Sequence, residues 1–178
     1  MVIPLALFAT KERFPKVPQA NEIERIPEII KLVGQGVRHP EDIARKMRFN
    51  SRQSAYYREA AEVLGFLNPR KHYSLTTLGT QFFASDDSIK IRLMICALLR
   101  NSIISCTISC LLSGVVKSVS LHDVEDLLKT LSNLQLATIQ RRATTIMAWL
   151  RWLGKNGGII ETVGDRVRLK NSPCTIHC

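Results

Sequence analysis

Gln140-Arg-Arg-Ala-Thr-Thr-Ile-Met-Ala-Trp-Leu-Arg-Trp-Leu-Gly154, followed closely by Ile159-Ile-Glu-Thr-Val-Gly-Asp-Arg-Val-Arg-Leu-Lys170, decides how the chain reads. In the first segment Ile139, Ala143, Ile146, Leu150 and Leu153 recur at steps of four, three, four and three. That spacing predicts a helix with one buried stripe. Arg141, Arg142, Thr144 and Thr145 fall off the stripe, in the first half of the helix, and are expected at its surface. Gly154, Gly157 and Gly158 predict its end, because glycine takes the left-handed conformation that a helix stop needs. In the second segment Gly164-Asp165 separates two β-branched runs, the signal for a two-residue hairpin.

The first half of the chain repeats this grammar. Asn21 caps a helix whose stripe is Ile26, Ile29, Ile30 and Val33, with Gly34 and Gly36 as the stop. Pro40 suits a first helical position, and Glu41 and Asp42 suit the positive helix end. Ile43, Ala44 and Met47 form the buried side of this short helix. Arg48-Phe49-Asn50 is a turn, with Asn50 or Ser51 as the cap of a helix from Arg52 to Leu64. A short helix, a three-residue turn and a longer helix are the helix-turn-helix pattern. After Gly65, Asn68-Pro69 opens a turn whose tip is Arg70, Lys71 and His72. Tyr73 and Leu75 then alternate as in a strand, and Thr76 or Thr77 caps a closing helix through Phe82 and Phe83. A helix with a basic exposed start, followed by a basic hairpin, is the recognition helix and wing of a winged helix-turn-helix, a reader of the major groove.

Between the two lies a Ser85-Asp86-Asp87 break. Next comes an apolar stretch with Ile89, Leu93, Leu98 and Leu99, and Asn101-Ser102 is a candidate break before the run ending at Gly114. Ser120 caps the following helix, with Val124, Leu127, Leu128 and Leu131 on one face, and Ser132 to Ala137 is the turn. A shift of 89 residues lays Arg52 on Arg141, Gln53 on Arg142 and Leu64-Gly65 on Leu153-Gly154. It assigns Tyr57, Ala61 and Leu64, with Ile146, Leu150 and Leu153, to the core. Tyr56 and Thr145 go to the surface. The expected fold is mainly α with small β-hairpins, a tandem winged helix-turn-helix. An arm spans residues 1–20, one module 21–85, a second 86–170, and a tail 171–178. The arm is basic and broken by Pro4, Pro15 and Pro18, and is either a strand that pads the core or an arm on a backbone.

The chain has 178 residues, 25 Lys+Arg against 15 Asp+Glu and a formal net charge of +10. Residues 1–85 hold 13 basic and 8 acidic side chains, and residues 86–178 hold 12 and 7, so the excess is shared equally. Such a balance favours a polyanion partner. Hydrophobic content of 46% excludes wholesale disorder. Val2 to Ala9 is apolar, but no basic residue precedes it and Pro4 interrupts it, so no secretory signal is expected. The run Ile103 to Val116 is 14 residues, short of the roughly 20 that a membrane span needs. Five cysteines, Cys96, Cys106, Cys110, Cys174 and Cys178, give an odd count that suits reduced thiols in a cytoplasmic setting. Neither Cys106 with Cys110 nor Cys174, His177 and Cys178 has zinc-ribbon spacing, so no metal and no cofactor are expected.

The basic helix start, the Leu-Gly ending, and a wing closing on Leu-Thr-Thr-Leu-Gly (Leu75 to Gly79) or Arg-Val-Arg-Leu-Lys (Arg166 to Lys170) resemble tandem winged-helix modules. Modules of that kind form the target-recognition half of some type II restriction and nicking endonucleases. The resemblance spans roughly residues 21–170 and implies a double-stranded DNA reader in a restriction or defence system. A nuclease subunit or domain would be its partner.

Catalysis is not expected from this chain. A restriction-type nuclease needs an acidic pair for Mg²⁺ with a lysine beside it, and no Asp-x-Lys or Glu-x-Lys occurs. Nor is there a Gly-x4-Gly-Lys-Ser/Thr loop or a His-Glu-x-x-His pair. The base-facing candidates are Arg52, Gln53 and Tyr56 in the first module and Arg141, Arg142 and Thr145 in the second. Arginine forks onto guanine and glutamine pairs with adenine. Ser51 and Gln140, at helix starts, are candidates for phosphate, with Lys46 and Arg48 beside them. Arg70, Lys71 and His72, then Arg166, Arg168 and Lys170, are the wing contacts. Trp149 and Trp152 belong to the core or to module packing rather than to base stacking. Two other readings stay open: a transcriptional regulator, and a protein-protein scaffold using the apolar stretch Ile89 to Leu112.

Overall fold

The computed structural model describes residues 17–69 and 73–170. The described residues are mainly helical, with one small two-stranded antiparallel sheet. They fall into two compact units, the first ending at Ala97 and the second beginning at Leu98.

The first unit opens with a 3-10 turn, Ile23–Arg25, and helix α1, Ile26–Gly34. Pro27 fits the first turn of α1, where its missing N–H is not needed. The α1 stripe Ile26, Ile29, Ile30 and Val33 is fully buried, as the periodicity predicts. Helix α2, Pro40–Met47, buries Ile43, Ala44 and Met47. It closes on Arg48 in the left-handed conformation, φ 56°, with Phe49 N–H reaching back to the Ala44 carbonyl at 2.8 Å. Helix α3, Ser51–Val63, starts from Asn50, not Ser51. Asn50 Oδ1 accepts from Gln53 N at 2.8 Å and Gln53 Oε1 accepts from Asn50 N at 3.1 Å, a complete capping box. Tyr57, Ala61 and Leu64 are buried as expected. Among the described residues the expected hairpin after it shows one bridge, Leu67 with Leu75. Helix α4, Thr77–Ala84, is capped by Thr76, whose Oγ1 accepts from Gly79 N at 3.0 Å. Phe66 and Phe82 meet edge to face at 4.9 Å across this core. α1 packs on α2, α3 and α4. Helix α5, Asp87–Arg100, carries exposed Ile89 and Ile91 and buried Met94 and Ala97.

In the second unit Asn101 does split the apolar stretch. Its side chain accepts from Ile103 N and Ile104 N and starts helix α6, Ser102–Leu112. Ser120 caps helix α7, Leu121–Leu131, as read from the sequence. Helix α8 starts earlier than expected and ends at the last of the three glycines expected to stop it. It runs Leu136–Gly157, four residues earlier and three later than the predicted segment. The turn before it is therefore only residues 132–135. Gly154 does not stop it; Gly158 does, at φ 70°. Gly154 serves instead as a gap, since a Cβ there would lie 2.8 Å from the Ile160 carbonyl oxygen. The hairpin β1, Ile160–Val163, and β2, Arg166–Leu169, turns at Gly164-Asp165 as predicted. Val119 adds a third line to it, exchanging both backbone hydrogen bonds with Val167 at 2.8 and 2.9 Å. α7 and β1 pack on α8, and α6 packs on α8 and β2.

Candidate nucleic-acid interface

In the first unit the end of α2 and the start of α3 meet at a three-residue turn. Lys46, Arg48, Ser51, Arg52 and Gln53 are all exposed there, and Tyr56 is half-buried. Arg45, on the same helix end, is tied to Asp42 at 2.6 Å. Arg52 Nε donates to the Tyr56 hydroxyl at 2.5 Å, and its guanidinium lies 5.6 Å from the Tyr56 ring centre. Gln53 is exposed, and its Oε1 accepts from Asn50 N in the capping box. Later in α3, Arg58 pairs with Glu62 at 3.0 Å and covers the Tyr73 ring at 5.5 Å.

Behind the turn a stack fixes its geometry. The Arg25 guanidinium lies 4.6 Å from the Phe49 ring centre, and Phe49 stacks on Tyr57 at 4.9 Å. Arg25 also donates to the Met47 carbonyl at 2.5 Å and to Glu28 at 3.0 Å. The Tyr57 hydroxyl accepts from Glu22 N at 3.2 Å, while burial pushes its phenol pKa up. The last carbonyls of α2 and the approach to α3 are thus held by aromatic and cationic contacts that the solvent-facing side chains do not use.

In the second unit three expectations need correction. Gln140 is not at a helix start, because Gln135 precedes the first turn of α8; its backbone N–H is inside the helix. Thr145 is not a surface residue. It is fully buried, with its hydroxyl bonded to the Arg141 carbonyl at 3.3 Å. Arg142 is half-buried, and its Nε sits inside without a hydrogen-bond acceptor among the described residues. The physical reason is the width of the buried face. Thr145 and Trp149, with Arg142 half-buried above them, form a second ridge beside the apolar stripe, so α8 hides more than a narrow seam. The exposed line is Ala137, Gln140, Arg141, Thr144, Arg151 and Lys155. Thr144, Arg151 and Lys155 were not among the expected site residues. Their signal was present, since all lie opposite the stripe at helical spacing.

Two of the wing charges are engaged within the fold. Arg166 donates to Ser118 Oγ at 2.8 Å and pairs with Asp123 at 3.0 Å. Arg168 pairs with Glu161 across the hairpin at 2.8 Å. They pin the hairpin rather than project from it, whereas Lys170 is exposed. Arg70, Lys71 and His72, and the tail residues Cys174, His177 and Cys178, lie outside the described residues. Among the described residues no group of three or more His, Cys, Asp or Glu is placed to hold a metal. Burial raises the thiol pKa of Cys106 to about 11, with Cys110 one turn away adding to the effect. No single described helix is long and apolar enough to cross a membrane.

A family model described as a domain of unknown function (DUF7226) matches residues 25–156, well over half of the chain. No curated protein and no solved structure matches.

Proposed function

We propose that this chain, which belongs to the DUF7226 family, binds double-stranded DNA through two winged helix-turn-helix modules and performs no catalytic step itself. The observation that carries the reading is the α2–α3 corner. Lys46, Arg48, Ser51 and Arg52 lie exposed around one turn, and no carboxylate pairs with Lys46, Arg48 or Arg52 among the described residues. The order of elements supports it. The first unit runs α1, α2, α3, hairpin; the second runs α6, the Val119 line, α7, α8, hairpin. The net charge of +10 supports it too.

In this mechanism Lys46, Arg48 and Ser51 set the first module on phosphates, and Arg52 reaches a base edge. In the second module Gln140, Arg141 and Thr144 face the groove, while Arg151, Lys155 and Lys170 are backbone contacts. The motif resemblance supports a role as the target-recognition part of a restriction-modification or related defence system, with cleavage supplied by a nuclease subunit or domain. Selection of bound sequences from a random duplex pool tests the function. Two unlike modules in one chain predict an asymmetric site. A palindrome would instead point to a dimeric transcriptional regulator, and no enriched sequence at all would contradict specific recognition.

A protein-protein scaffold has one observation in its favour. Phe83, Ile89 and Ile91 of the first unit are large apolar side chains 38%, 39% and 39% exposed. That reading predicts salt-tolerant self-association in sedimentation velocity and no complex with duplex.

A further inference from the structure

We infer that Arg52 reads a guanine in the major groove, and that Tyr56 is the positioning residue that fixes which edge of the guanidinium faces the base. The inference rests on the DNA-reading function proposed above.

Arg52 is the second residue of α3 and is exposed; Tyr56 is one turn further along the same helix. The Arg52 Nε–H is taken by the Tyr56 hydroxyl at 2.5 Å, and the guanidinium lies 5.6 Å from the centre of the ring. A guanidinium is a planar fork of five N–H donors. With Nε committed, the edge left for a ligand is the Nη1–Nη2 end. That end offers two parallel donors and no acceptor.

Base edges in the major groove answer such a fork unequally. Guanine presents two neighbouring acceptors, O6 and N7. Adenine sets a donor, N6, beside its N7, so one arm of the fork would meet a donor. Cytosine presents a donor, and thymine a single acceptor beside a methyl group. The aromatic contact also removes side-chain freedom from Arg52 before binding, which lowers the entropy lost in the complex. Among the described residues no carboxylate competes for the fork, since the salt bridges nearby join Arg45 to Asp42 and Arg58 to Glu62. The neighbouring residue suited to adenine, Gln53, has its oxygen turned back on Asn50.

The test uses the full chain and a duplex selected from the random pool, with each guanine replaced in turn by 7-deazaguanine, which lacks the N7 acceptor. The parent should lose roughly tenfold or more in affinity at one guanine. Arg52→Met removes every donor and should show no penalty at that guanine. Tyr56→Phe keeps the arginine and should reduce the penalty to about twofold. A circular dichroism spectrum and an unfolding midpoint like the parent's show that each variant is folded. If no guanine carries a penalty, or Arg52→Met retains it, the guanine assignment is wrong while DNA binding stands. If Tyr56→Phe keeps the full penalty, the positioning role is wrong. If the parent holds no duplex, this inference and the function beneath it both fall.

Discussion

Arg166 Nη2, in the second strand of the hairpin, meets Asp123 Oδ2, in the first turn of α7, at 3.0 Å. The same carboxylate oxygen accepts from Ser120 N at 2.8 Å and completes the α7 capping box. One side chain therefore both starts a helix and moors the hairpin. Asp123→Ala should cost about 1–2 kcal/mol, chiefly through the lost cap. Asp123→Asn keeps an acceptor for the cap and removes only the ion pair. Arg166 is close to half exposed, so solvent screening limits that loss to about 0.5 kcal/mol. Urea unfolding of the two variants separates the contributions.

Thr144 and Thr145 are adjacent in sequence and opposite in environment. Thr144 is exposed and Thr145 is fully buried. Thr144→Glu should lower duplex affinity about tenfold or more, by setting a negative charge toward phosphates, and leave the unfolding midpoint unchanged. Thr145→Ala should cost about 1 kcal/mol or more of stability and leave the affinity of the folded fraction unchanged. Thermal unfolding and fluorescence anisotropy on the same samples check both.

Arg48 takes a left-handed conformation that side chains with a Cβ rarely adopt. Glycine would take it without strain. Arg48→Gly should raise stability by up to about 1 kcal/mol. The same change removes an exposed cation beside the turn, so duplex binding should weaken for all sequences alike. Opposite signs in denaturation and binding would show that this arginine is kept for contact and not for the fold.

Most of the elements could be read because burial and capping write themselves into spacing. The α1 stripe, the Asn50 and Ser120 caps, the Asn101 break and the Gly164-Asp165 turn are all set by local chemistry. The limits of α8 were not, because glycine has two uses. Gly65 follows α3 at φ 82°, a true stop. Gly154, its counterpart under the 89-residue shift, is helical and is glycine because the Ile160 backbone passes close by. A linear shift cannot distinguish a conformational need from a lack of space. The same shift put Thr145 on the surface, because it compared one stripe with another and ignored the second buried ridge of α8. The third line of the hairpin at Val119 was invisible as a single residue. The partners of Arg166 and Arg168 depend on which acids folding brings near.

The two thiols of α6, Cys106 half-buried and Cys110 buried, give a pH test. Cys106, raised to about 11 by burial and by Cys110, has a folded value above its unfolded value near 9. Its contribution to stability is therefore complete below about pH 9 and is lost as pH rises toward 11, where the unfolded chain ionises first. At pH 8 both Cys106 and Cys110 should resist alkylation, while exposed Cys96 reacts. Peptide mapping by mass spectrometry after a brief iodoacetamide pulse reads the order. Fast labelling of Cys106 ahead of Cys96 would contradict this burial.

If two basic modules grip one duplex, the affinity for random duplex depends steeply on salt. The full chain should bind, with log affinity falling linearly against log salt and a slope of about −5 to −7 for six to eight phosphates. Lys46→Ala with Arg48→Ala in the first module, and Arg151→Ala with Lys155→Ala in the second, should each reduce that slope by about 2. Binding that ignores salt, a slope unchanged by both pairs, or no binding at all would overturn DNA binding by these two basic surfaces.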